Sequence, residues 1–131
     1  MVPTERPRRI AIADDSPAFL SAASAYVASL PGCELAGTAP NAVEALALVE
    51  AVAPDILLLD LGAAPSRGLE MVRRVRSAPR PPAVIALSLF HTQEGAVQAR
   101  SAGAEALIGK DAFVTGLAEV LVRLFPPGRS L

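Results

Sequence analysis

Asp55-Ile56-Leu57-Leu58-Leu59-Asp60 sets four consecutive aliphatic side chains between two carboxylates. A strand that is apolar on successive positions is buried on both faces, as in a parallel sheet with helices above and below it. Ala83-Val84-Ile85-Ala86-Leu87 repeats the pattern. Working outward, strands are predicted over Arg9–Ala13, Cys33–Thr38, Asp55–Leu59, Ala83–Leu87 and Ala106–Ile108. The stretches between them carry helix signals. Ser16-Pro17 offers an N-cap with proline at the first helical position, and Asn41 with Glu44 has capping-box spacing. Asp111 is expected to cap the last helix, where Leu117, Val120, Leu121 and Leu124 recur at helical period, and Pro126-Pro127-Gly128 to stop it. Five β-α repeats predict an α/β fold: a doubly wound, flavodoxin-like, five-stranded parallel sheet of order 2-1-3-4-5 with helices on both faces.

Composition narrows the function. The chain has 131 residues, a formal net charge of −1 and one cysteine, Cys33. That length suits one domain with its own core. Residues 1–8 are taken as a lead-in, 9–125 as the domain and 126–131 as a tail or truncated linker. The eleven arginines are scattered, which argues against direct nucleic-acid binding. A lone cysteine fits a reducing compartment. No apolar run approaches the roughly 18 residues of a membrane helix. The basic start leads into an apolar stretch too short for an export signal core of about 7–15 residues. A cytoplasmic protein without membrane contact is therefore expected.

Three predicted strands end in ionisable groups. Asp14 and Asp15 follow the first, Asp60 the third, and Lys110, the chain's only lysine, the fifth. In a sheet of this order the ligand crevice lies outside the carboxyl ends of strands 1 and 3. Three carboxylates gathered there repel one another unless a cation neutralises them. Mg2+, which takes one or two carboxylates, waters and a phosphoryl oxygen, suits the set. Ser88, at the end of the fourth run, adds a hydroxyl donor. A carboxylate can itself attack phosphorus to give an aspartyl phosphate. His91, without His or Cys at ligand spacing, makes a poor zinc site. Gly103 through Lys110 has the wrong spacing for a phosphate loop.

These residues resemble, in order and spacing, the site of receiver domains of bacterial two-component response regulators. The likeness runs over residues 8–125 and is nearest to receivers that precede a helix-turn-helix domain. Gly68-Leu69-Glu70, read as opening the third helix, and Ser101-Ala102-Gly103-Ala104 match as well. The resemblance implies that Asp60 accepts a phosphoryl group from a sensor histidine kinase or phosphotransfer protein. It implies Mg2+ held by Asp15, Asp60 and the Gly62 carbonyl, with Asp14 acting largely through water. Ser88 would hydrogen-bond the phosphoryl oxygens and Lys110 would pair with them. No further enzyme activity is implied beyond self-phosphorylation and dephosphorylation. The switch would alter the face around helix 4, strand 5 and helix 5, and a homodimer through helices 4 and 5 is admitted.

The chain departs from the family pattern at Leu107, where an aromatic residue is usual, and at Ala63-Ala64, where Met-Pro is usual. Arg67 replaces an acidic or amide residue before Gly68. These departures motivate an alternative, a receiver-like protein-interaction module that does not switch by phosphorylation. A phosphatase with an aspartate nucleophile would want a second acid at the position of Gly62. A flavin protein of this fold would not place three acids against its phosphate.

Overall fold

The computed structural model describes residues 6–126. Most of the lead-in and tail, including Pro127-Gly128 of the expected helix stop, lies outside the described residues. The elements alternate strictly: β1 Arg8–Ala13, α1 Pro17–Ser29, β2 Cys33–Ala39, α2 Ala45–Val52, β3 Ile56–Asp60, α3 Pro65–Arg76, β4 Ala83–Ser88, α4 Gln93–Ala102, β5 Ala106–Gly109 and α5 Phe113–Leu124. The strands form one parallel sheet of order β2-β1-β3-β4-β5, the predicted order.

The two-residue period of the strands divides the core in two. Ala11, Ala13, Leu57, Leu59, Val84, Ala86 and Leu107 face α2, α3 and α4, whose Val49, Leu69, Val72 and Ala99 close that side. Ile10, Ile12, Ile56, Leu58, Ile85, Leu87 and Ile108 face α1 and α5, where Val27, Phe113 and Leu117 are buried. Each side chain of Ile56–Leu59 is wholly buried, four large apolar groups contributing roughly 1.5–3 kcal/mol each.

Several local expectations need correction. The third strand is one residue later than predicted, so Asp60 closes it and Asp55 precedes it. Asp55 still bonds to both neighbouring strands, its N–H donating to the Arg9 carbonyl at 2.8 Å and its carbonyl accepting the Ala83 N–H at 3.0 Å, while its side chain accepts the Arg9 N–H at 2.8 Å. The third helix opens at Pro65, not at Gly68, because proline suits the first helical position. Asp111 does not cap the last helix. It lies in a 3-10 turn, Lys110–Ala112, and α5 begins at Phe113 without a side-chain cap. Ser16 does cap α1, accepting the Phe19 N–H at 3.3 Å. Asn41 Oδ1 accepts the Glu44 N–H at 3.1 Å, but the turn it caps is a 3-10 turn ahead of α2. Cys33 is half-buried among the α1–α5 core, and burial raises its thiol pKa.

Gly68 explains how α3 sits so close to the end of β3. A Cβ there would lie 2.5 Å from Leu61 Cα and 2.7 Å from Leu61 O, backbone that cannot move aside cheaply. The helix thus packs directly on the chain leaving Asp60. Gly68→Ala should destabilise the fold by about 1–3 kcal/mol, as overpacking does; urea unfolding of the two proteins measures it.

Candidate phosphoacceptor site

Each ionisable side chain of the site is carried by a strand end, where the backbone leaves the sheet. The Asp14 N–H is held by the Ala39 carbonyl at 3.1 Å. Its Oδ1 accepts the Ser16 N–H at 2.8 Å, and this side-chain turn ends β1 and starts α1. The same bend puts Asp14 in the interior, 1% exposed, and leaves Asp15 at the surface. Asp60 is 4% exposed. Its Oδ1 accepts the Gly62 N–H at 3.0 Å, across a turn in which Gly62 takes a φ of 73°. That is the left-handed region, open to glycine without a steric penalty.

Lys110 follows β5 and reaches back over the sheet. Its Nζ lies 2.8 Å from Asp14 Oδ2 and 3.4 Å from Asp60 Oδ1, and 4.8 Å from the centroid of the Phe19 ring. Three strands are thereby joined by one ammonium. Asp14 Oδ2 is buried, and the Lys110 ammonium is the cation that meets it. Burial alone would lower the Lys110 pKa, but the hydrogen-bonding contact with Asp14 and the charges of Asp60 and Asp14 outweigh it and raise it. The Asp15 pKa is raised, first by side-chain hydrogen bonding with Asp60, then by the charge of Asp60, by desolvation and by Asp14. Lys110 opposes that rise without cancelling it.

Carboxylate oxygens of Asp14, Asp15 and Asp60 all lie within 4.8 Å of one another. Three acids against one ammonium are short of positive charge. The Asp15 pKa, raised by its acidic neighbours in spite of Lys110, is the mark of that shortage. A hard divalent cation fits it, since every donor is oxygen.

Ser88 ends β4 beside this cluster without bonding to it. Its Oγ donates to the Phe90 carbonyl at 2.6 Å. Leu107, the position of the missing aromatic, is 7% exposed and packs toward α4. Two contributors escaped the sequence reading. Phe19 underlies the ammonium, a contact made across the α1–α5 side that only folding creates. Gly109 lets the loop after β4 close on β5, since a Cβ there would come within 2.8 Å of His91 N. A glycine directly before the lone lysine was the available signal.

Fold and site together define a doubly wound domain that gathers three carboxylates and an ammonium at its strand ends. Residues 10–121 match the response regulator receiver domain, and the chain belongs to that family. It is 31% identical over 105 residues to a protein-glutamate methylesterase/protein-glutamine glutaminase of Agrobacterium fabrum, covering 79% of this chain and 30% of that protein. It is 27% identical over 107 residues to the nitrate/nitrite response regulator NarL of Escherichia coli, covering 82% of this chain and 50% of NarL. The chain thus spans half or less of these relatives. Among solved structures, the receiver domain of a NarL response regulator from Mycobacterium tuberculosis superposes with a TM-score of 0.80 at 25% identity, over 92% of this chain and 97% of that one.

Two measurements follow from the charge balance. Lys110→Met leaves Asp14 and Asp60 buried without a cation, which should cost roughly 3–5 kcal/mol by urea unfolding in metal-free buffer at neutral pH. Asp15→Asn should be more stable than the parent in metal-free buffer, with a sign set by linkage. A raised native pKa gives stability that is full below the ordinary value of 3.8 and lost as pH rises through the native value. The variant's advantage should therefore be absent below that ordinary value and grow as pH rises above it. Unfolding curves across pH check this, and an advantage independent of pH would refute it.

Proposed function

We propose that this chain is a phosphoacceptor switch of a two-component system, with Asp60 as the acceptor, within a receiver domain of residues 9–125. Receiver domains act with histidine kinases or phosphotransfer proteins, and a phosphohistidine on such a partner is the donor in this reading. The observation that carries it is Asp60 itself, buried at the end of β3 with an ammonium 3.4 Å from Oδ1 and two further carboxylates beside it.

Asp60 attacks phosphorus through a carboxylate oxygen. The bond from phosphorus to the donor's imidazole nitrogen breaks, and its electron pair leaves with the ring. Little covalent work falls to the protein, which positions groups and neutralises charge. Lys110 already stands beside Asp60 and supplies a cation to the phosphoryl oxygens. Ser88, one residue past Leu87, the β4 residue opposite Asp60, supplies a hydroxyl donor. Asp14, Asp15, Asp60 and the Gly62 carbonyl would hold Mg2+. When bound, Mg2+ supplies neutralisation of the charge that develops on the phosphoryl oxygens.

The acid set and its lysine argue against the non-switching interaction module, which has no use for a buried charge cluster. In this reading the chain turns over nothing besides its own phosphoaspartate. The methylesterase activity belongs to the relatives that carry that name. A cytoplasmic location accords with the unpaired Cys33, and among the described residues no helix is long and apolar enough to cross a membrane. The apolar Val97 and Val122 exposed on α4 and α5 leave room for a homodimer.

Incubation with acetyl phosphate and Mg2+ should add about 80 Da to the intact mass, one phosphoryl group. Chelation of the metal or the change Asp60→Asn should abolish the gain. Labelling retained in Asp60→Asn would move the acceptor elsewhere.

A further inference from the structure

Phe19 stands in a closed circuit of contacts around the buried acid. Asp14 Oδ1 accepts the Ser16 N–H at 2.8 Å, and Ser16 Oγ accepts the Phe19 N–H at 3.3 Å. The Phe19 ring lies under the Lys110 ammonium, 4.8 Å from centroid to Nζ, and that ammonium returns to Asp14 Oδ2 at 2.8 Å. The carboxylate that follows β1 therefore also fixes where the first turn of α1 presents its ring. The separation is within the reach of a cation–π attraction, about 6 Å.

The ring is braced from within the fold. Phe113 meets it edge to face with centroids 5.2 Å apart, and Tyr26 meets Phe113 in the same way at 5.9 Å. Phe113 opens α5 directly after the 3-10 turn that Lys110 begins. Ring and ammonium are thus tied to one corner of the molecule, where α1 meets α5. The Lys110 side chain is only 13% exposed, so little water competes with the ring for its charge.

We infer that Phe19 is a positioning residue for the transfer: its ring face holds the Lys110 ammonium beside Asp60 while that ammonium exchanges Asp14 for a phosphoryl oxygen. The inference rests on the phosphoacceptor reading. At rest the ammonium lies closer to Asp14 than to Asp60, 2.8 Å against 3.4 Å. As an Asp60 oxygen bonds to phosphorus, Asp60 ceases to draw the ammonium as a full carboxylate, and the charge to be met lies on the phosphoryl oxygens. Asp14 keeps its pull throughout. A ring face attracts a cation through its quadrupole and not along one bond, and lysine carries a point charge on a flexible stem. The ammonium can therefore swing across the ring without leaving it. An aliphatic side chain of similar bulk would fill the space and hold nothing. The ring contributes more during transfer than at rest, and only such a difference speeds a reaction.

A ring-fluorinated phenylalanine placed at position 19 alone keeps the bulk of the side chain and drains charge from its face. With acetyl phosphate and Mg2+, the rate of mass gain should fall in step with the number of fluorines, reaching a loss of roughly three- to tenfold, the size of a desolvated cation–π contact. The chain has one lysine, so a label at its ε carbon gives one NMR signal. The attached protons should resonate upfield of an exposed lysine, shielded by the ring, and Phe19→Leu should remove that shift. Fluorinated proteins that gain mass at the rate of the unmodified chain overturn the inference alone, because a packing role survives fluorination. An unshielded lysine signal in the unmodified chain overturns it too. No mass gain in the unmodified chain overturns the phosphoacceptor reading and the inference with it.

Discussion

The Lys110 ammonium, lying between Asp14 and Asp60, is the contact on which the site depends. Asp14 is almost fully buried, and an unpaired carboxylate there would be costly. The lysine relieves that cost only because β1, β3 and β5 end at the same level of one parallel sheet. The register pairs Ala13 with Leu59, Asp60 with Leu87 and Ser88 with Gly109, a ladder that brings the last residues of every strand to one rim. Slip any strand by one residue and its side chains would exchange the two cores, while its end residue would leave the rim. Core and site thus enforce each other.

The charges at that rim are deliberately unbalanced. One ammonium among three acids leaves the Asp15 pKa raised. The loop after β4 borders this rim: one end is tied to Ser88 and its middle rests on Gly109 beside Lys110.

Glycine placement gives the rim its shape. Gly62 turns the chain after Asp60 through left-handed backbone, and Gly68 lets α3 press on Leu61. Between them they hold the short loop that carries the Gly62 carbonyl. Arg9 does similar work at the opposite end of the sheet, where its guanidinium binds the carbonyls of Val52 and Ala53 at the end of α2. Ala53 sits there in left-handed backbone at φ 47°, a conformation that an alanine does not choose unaided.

Strand order, the two buried faces and the acid–lysine set were legible in the sequence because they rest on periodicity and on which residue types end the apolar runs. Ile56–Leu59 can only be a strand covered on both sides, and lone Lys110 stands out among arginines. Local ends were less legible. Asp111 reads as a cap but lies in a 3-10 turn, and Asp60 reads as following the third strand but closes it. Contacts between residues far apart in sequence decided which cation meets Asp14. The sequence alone determined which ionisable groups end the strands, since composition and spacing are local properties. Only the tertiary structure decided that Lys110 neutralises Asp14 as well as Asp60, and that the Ser88 proton goes to Phe90. Those choices depend on distances of a few ångströms between segments that meet only when the sheet has closed.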